Sequence, residues 1–167
     1  RGLGDVYKRQ DKKSDSSSKV QKIYTNPVAT DDFFQEIGQD IGLDFVHSIG
    51  ADHLNNIIES VGGGAAFLDY DQDGYIDIYM CSGTWVEGFS KSDEPEELPK
   101  NHLYRNNKDG TFEDVTKKAG VGGPWYSMGI TVGDFNNDGY PDLYVSNNGP
   151  NTLYKNNGDG TFKDITK

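Results

Sequence analysis

Apolar and polar residues alternate with a period of two along several short stretches of this chain, the mark of half-buried β-strands. Between Tyr75 and Cys81, Ile76, Ile78 and Met80 alternate with Tyr75, Asp77 and Tyr79. Ala65 to Leu68 forms a second such run. Leu103 to Asn106 and Thr111 to Val115 flank an Asn-Lys-Asp-Gly turn, which predicts a hairpin. The same order of segments recurs at 129–133, 140–146, 152–156 and 161–166. Each set of four predicts one small antiparallel sheet, and the fold class is expected to be all-β.

The recurrence is literal. Residues 102–117 match residues 152–167 at eleven of sixteen positions, at an offset of 50. The segments joining the first two strands of each set match at an offset of 65, so the first set carries an insertion of about 15 residues around 84–98. A weaker echo lies upstream. Phe34-Gln35-Glu36-Ile37 followed by Gly42-Leu43 parallels Phe112-Glu113-Asp114-Val115 followed by Gly120-Val121, as the last strand of a preceding unit would. Four-stranded units repeating at roughly 40–65 residues predict β-propeller blades. The organisation expected is a blade over 64–120, a second over 121–167, and the outer strand of a preceding blade with its connection over 32–63.

The loops between the first and second strands carry the chemistry. They read Asp69-Tyr70-Asp71-Gln72-Asp73-Gly74-Tyr75-Ile76-Asp77 and Asp134-Phe135-Asn136-Asn137-Asp138-Gly139-Tyr140-Pro141-Asp142. Alternate residues bear oxygen side chains, a glycine allows a sharp turn, and an Asp returns at position nine. That spacing suits a hard cation of Ca²⁺ size, which takes six to eight oxygens in irregular geometry. The loops are not EF-hands: position twelve, where a bidentate Glu belongs, is Met80 in one and Val145 in the other.

Charge sharpens this. The chain of 167 residues has a formal net charge of −11, which argues against nucleic acid as a partner. The loops hold four and three carboxylates, so like charges crowd together unless a cation joins them. No apolar run is long enough to span a membrane. Cys81 is the single cysteine, so an internal disulfide is impossible.

The amino-terminal region differs from the rest. Arg1 to Gln10 reads like translated library-adapter sequence and is expected to be non-native. Residues 11–31, rich in Ser, Lys and Asp at their start, are expected to be a flexible linker.

The pairing of the acidic loop with N-x-L-Y-x-N-N-x-D-G-T-F-x-D-[VI]-T resembles the FG-GAP/VCBS repeats that build the β-propellers of integrin α chains and many secreted bacterial proteins. The entry Glu59-Ser60-Val61-Gly62-Gly63-Gly64-Ala65-Ala66-Phe67-Leu68-Asp69 is similar to the ASPIC/UnbV-associated, cartilage-acidic-protein-like group. The resemblance covers about residues 32–167. It implies two Ca²⁺ sites. The first would use the side chains of Asp69, Asp71, Asp73 and Asp77 with the Tyr75 carbonyl. The second would use Asp134, Asn136, Asp138 and Asp142 with the Tyr140 carbonyl. Asn136 is neutral where Asp71 is charged, so weaker binding is expected at the second loop. A closed propeller needs about four to eight blades; two are present, so an incomplete propeller, a piece of a longer protein, is expected.

The function expected is that of a calcium-binding structural or recognition module, extracellular, periplasmic or at the cell surface. Its partners would be the remaining blades and a protein or glycan ligand. The chain is not expected to be an enzyme: His47, His53 and His102 are scattered, and neither G-x-S-x-G nor H-E-x-x-H occurs. Two alternatives stand beside it. The chain could belong to a polysaccharide-acting enzyme whose site lies elsewhere, or bind carbohydrate through Trp85 or Trp125. The Gly62-Gly63-Gly64 run leads into a strand rather than a helix, and close backbone packing is expected there.

Overall fold

The structure is a computed structural model that describes residues 35–51, 54, 56–88, 90 and 97–167. Residues 1–34, with the expected tail and linker, and residues 89 and 91–96 of the insertion lie outside that set. Residues Ile37–Lys167 form one compact unit.

Two four-stranded antiparallel sheets make up this unit, each in simple sequential order. The first contains β1 (Ala65–Leu68), β2 (Asp77–Met80), β3 (His102–Asn106) and β4 (Phe112–Asp114); the second contains β5 (Tyr126–Gly133), β6 (Asp142–Asn148), β7 (Thr152–Asn156) and β8 (Phe162–Asp164). One helical turn, α1 (Thr116–Ala119), links them. The fold is all-β and propeller-like, with two blades that do not close a ring. β2 starts later than the alternation predicts, because Tyr75 and Ile76 stay in the acidic loop. β5 starts earlier, running through a bulge between Ser127 and Gly129.

The repeated sequence has a mechanical meaning at each position. In the hairpin turn, Asp109 Oδ1 accepts the Thr111 N–H and hydroxyl, at 2.9 and 2.6 Å; Asp159 and Thr161 repeat this at 3.0 and 2.6 Å. The Asp-x-Thr that follows each outer strand is a strap. Asp114 Oδ1 accepts the Thr116 N–H, and Thr116 Oγ1 accepts the Leu103 N–H, both at 2.8 Å. Asp164, Thr166 and Leu153 do the same in the second blade, at 2.9 and 3.0 Å.

The core lies between the sheets. Leu68, Tyr70, Tyr79, Cys81, Leu103 and Val115 of the first blade pack with Leu143, Val145, Tyr154 and Phe162 of the second. The sheets approach most closely at the start of β1. A Cβ on Gly64 would lie 2.8 Å from the Gly129 Cα, so a side chain there would push the blades apart. Tyr126 is buried beside Gly62 and Gly83, as inter-blade packing requires, whereas Trp125 is 42% exposed and lies over Gly149.

The opposite face of the first sheet is open. Phe67 is 72% exposed, while Val132, at the same place in the second blade, packs against the core. On the outer face of the second blade, Phe135 and Tyr144 are exposed where Tyr70 and Tyr79 are buried in the first.

Residues 37–45 repeat the connection that follows β4. A 3-10 turn at Gln39–Ile41 ends in Gly42 with φ 84°, as α1 ends in Gly120 with φ 77°. Gly42 lies against the Phe112 carbonyl as Gly120 lies near that of Phe162. No strand precedes Ala65 among the described residues. The strand expected at Phe34–Ile37 falls partly outside them, and Gln35–Ile37 are not in a ladder.

Candidate metal centre

Each acidic loop is shaped by its own first carboxylate. Asp69 Oδ1 accepts the Asp73 N–H at 3.0 Å and Oδ2 accepts the Gly74 N–H at 2.9 Å. Asp134 holds Asp138 and Gly139 in the same way, at 3.1 and 2.8 Å. The bend requires positive φ at two places, Gln72 (57°) and Gly74 (87°) in one loop, Asn137 (58°) and Gly139 (92°) in the other. Glycine adopts such angles without steric cost and asparagine tolerates them, which suits Gly74, Gly139 and Asn137; Gln72 holds the same angle without that tolerance.

The position-nine carboxylates tie loop to sheet. Asp77 is fully buried; its Oδ2 accepts the Tyr70 N–H at 3.1 Å and its Oδ1 the Asn106 N–H at 2.8 Å. Asp142 accepts from Phe135 and Asn156, at 3.1 and 2.7 Å. Burial pushes the Asp77 carboxyl up to about 6; the Asn106 and Tyr70 N–H groups pull it down, and the Asp71 and Asp73 charges add to the rise.

In the first loop, one oxygen from each of Asp69, Asp71 and Asp77 lies within 4.8 Å of the others. Asp71 Oδ1 is buried and has no hydrogen-bond partner among the described residues. A buried carboxylate oxygen without a donor is costly, and a cation at this convergence would satisfy it. Asp73 is turned away: its Oδ1 accepts the Tyr75 N–H at 3.0 Å and its Oδ2 meets Lys108 Nζ at 3.1 Å. Tyr75 is partly exposed, with Lys108 Nζ 5.1 Å from its ring centroid.

The second loop has the same backbone bonds and a different acid arrangement. Asp134, Asp138 and Asp142 do not converge as the first three do. Asn136 Oδ1 accepts the Asp138 N–H and its Nδ2 donates to Asp138 Oδ2, both at 2.9 Å. Asp138 Oδ1 accepts the Tyr140 N–H at 3.1 Å, and the Tyr140 ring covers Gly158.

Sequence reasoning passed over the basic residues. Arg105, on β3, places Nε 2.9 Å from Asp71 Oδ2 and Nη2 3.5 Å from Asp73 Oδ2. Lys155, at the matching place on β7, sits 3.3 Å from Asp138 Oδ2. Desolvation, the largest single influence, pushes the Asp73 carboxyl up, but Lys108, the Tyr75 N–H and Arg105 together outweigh it and hold the group below the usual range. The L-Y-[RK]-N-N motif carried this signal, since its third residue falls on the loop side of the ladder in both copies.

The model of the FG-GAP-like repeat matches residues 69–145 and 134–167, more than half of the chain, and both matches open on an acidic loop. The chain belongs to the FG-GAP-like repeat family. A second comparison points to the narrower group. Cartilage acidic protein 1 of Homo sapiens is 44% identical over 52 residues, which is 30% of this chain and 8% of that protein. The chain thus corresponds to a small part of the relative's length. Within this FG-GAP-like frame, the acidic loop joins the first two strands of each blade, and the first of the two loops has three acids placed to hold a metal ion.

Proposed function

We propose that the chain is a calcium-stabilised pair of propeller blades, serving recognition or scaffolding outside the cytoplasm. The convergence of Asp69, Asp71 and Asp77 within 4.8 Å, with the Asp71 Oδ1 atom buried and unpartnered among the described residues, carries this reading. Calcium would be held by those carboxylates and Asp73 with the Tyr75 carbonyl, and in the second loop by Asp134, Asn136, Asp138 and Asp142 with the Tyr140 carbonyl. The ion would supply charge neutralisation. The protein's own part is to fix the loop through Asp69 and to fasten it to β3 through Asp77. Extracellular calcium modules bind at about 10⁻⁴–10⁻³ M, which suits a calcium-rich compartment. Among the described residues no helix is long and apolar enough to cross a membrane.

The role is binding rather than catalysis, in keeping with the repeat family. The open faces around Phe67 on one sheet and Phe135 with Tyr144 on the other suit further blades of the same repeat, since their counterparts Val132, Tyr70 and Tyr79 are the residues that join the two blades seen here. A protein or glycan would then be recognised on the completed assembly. Isothermal titration with Ca²⁺, and with Mg²⁺ as control, tests the metal: two Ca²⁺ per chain at sub-millimolar to millimolar affinity are expected, and no saturable Ca²⁺ heat would reject the reading.

A further inference from the structure

Resting on that calcium reading, we infer that Arg105, helped by Lys108, is a tethered counter-cation that lowers the calcium affinity of the first loop and holds the loop in shape without metal. The guanidinium reaches Asp71 at 2.9 Å and Asp73 at 3.5 Å, and Lys108 Nζ reaches Asp73 at 3.1 Å. These are two of the carboxylates assigned to calcium. Both basic groups come from the β3–β4 hairpin, so they are delivered by the sheet rather than drawn from solvent.

Arg105 Nε bonds Asp71 through Oδ2 and leaves the buried Oδ1 without a partner among the described residues. It therefore neutralises charge without filling the convergence of Asp69, Asp71 and Asp77. A divalent ion bound there gains less from Asp71 and Asp73 and is repelled by a fixed positive charge nearby. Like charges a few ångströms apart, at an effective dielectric near that of a protein surface, repel by well above thermal energy.

The two loops then become equivalent in charge. Four carboxylates less Arg105 and Lys108 leave about −2 around the first, and three less Lys155 leave about −2 around the second. The advantage expected for the first loop from its extra carboxylate is offset by its extra cation.

The test uses the full chain with Asp134→Asn, so that calcium binding reports the first loop, and compares Arg105, Arg105→Gln and Arg105→Lys. At about 20 mM ionic strength, Arg105→Gln is expected to bind Ca²⁺ roughly tenfold more tightly, an effect that shrinks as salt screens it. In EDTA the same variant is expected to melt at lower temperature. Arg105→Lys, which keeps the charge, is expected to stay within about threefold of the parent affinity. A merely damaged fold would weaken binding, so tightening together with a lower metal-free Tm separates the two explanations. If the parent binds calcium and Arg105→Gln binds equally or more weakly, the inference is overturned. If neither binds calcium, the calcium reading fails and the inference with it.

Discussion

The side-chain amide of Asn156 donates to the backbone carbonyl of Tyr70 at 2.8 Å, joining the third strand of the second blade to the acidic loop of the first. Asn156 also donates to Pro141 at 3.1 Å, and its own N–H is held by Asp142 at 2.7 Å. One buried residue thus fastens its own loop and its neighbour's. Asn106 makes the local bond, to Ile76 at 3.1 Å, and no inter-blade bond among the described residues.

Asn156→Ala is therefore expected to cost more than Asn106→Ala. Truncation at 156 leaves the buried Tyr70 carbonyl without its donor, a loss of about 1–3 kcal/mol. Truncation at 106 affects exposed groups and should cost about 1 kcal/mol or less. Urea denaturation of the two variants at equal calcium measures the difference.

The paired glycines give a second contrast. Gly42 and Gly120 both need positive φ, so alanine is strained at either. A Cβ at Gly120 would rest 3.6 Å from the Phe162 carbonyl, whereas at Gly42 it would run into the Phe112 carbonyl oxygen. Gly42→Ala should lower the melting temperature more than Gly120→Ala, with the strain alone worth about 1 kcal/mol at both.

Phe67 and Val132 occupy one repeat position in opposite circumstances. Phe67→Ser is expected to leave stability within about 0.5 kcal/mol and to reduce self-association, since it removes an exposed apolar ring. Val132→Ser should cost about 1–3 kcal/mol, because a hydroxyl would enter the side packed against the core. Chemical denaturation and sedimentation velocity report the two effects.

The fold was legible because each repeat position has a local cause visible in one copy and confirmed by the other. Asp-Gly-Thr marks a side-chain-braced turn, and Asp-x-Thr marks a strap back to the third strand. The acidic loops were legible as loops for the same reason. The partition of their carboxylates was not. Asp73 and Asp71 have the same spacing from Asp69 as ordinary ligands would, yet Asp73 faces Lys108 and Arg105. That depends on which residues of β3 lie beside the loop, a pairing between segments some thirty residues apart. The strand edges shifted for a similar reason: Asn106 captures the Ile76 carbonyl, so the alternation beginning at Tyr75 does not become ladder until Asp77.

The Asp77 carboxyl should titrate unusually high in metal-free protein. Burial raises it in the fold to about 6, above the ordinary aspartate value of about 3.9. A carboxyl raised on folding supports the fold fully below its unfolded pKa, and that support is lost as pH rises through its folded pKa. Without metal, the Asp77 contribution therefore weakens between about pH 4 and 6. A cation beside it favours the carboxylate and should lower the midpoint. Carbon-13 NMR of the labelled carboxyl, in EDTA and in calcium, reads both midpoints; an Asp77 midpoint near 4 in EDTA would contradict the burial argument.

If calcium holds the blade corners in shape, thermal unfolding of the full chain will differ between about 5 mM Ca²⁺, above the affinity range of extracellular modules, and EDTA. Each occupied site should contribute about 1–2 kcal/mol at that concentration, raising Tm by several degrees. Asp71→Asn should reduce the calcium-dependent rise, because it removes a carboxylate from the first loop. An unchanged Tm between calcium and EDTA in the parent chain would contradict the account.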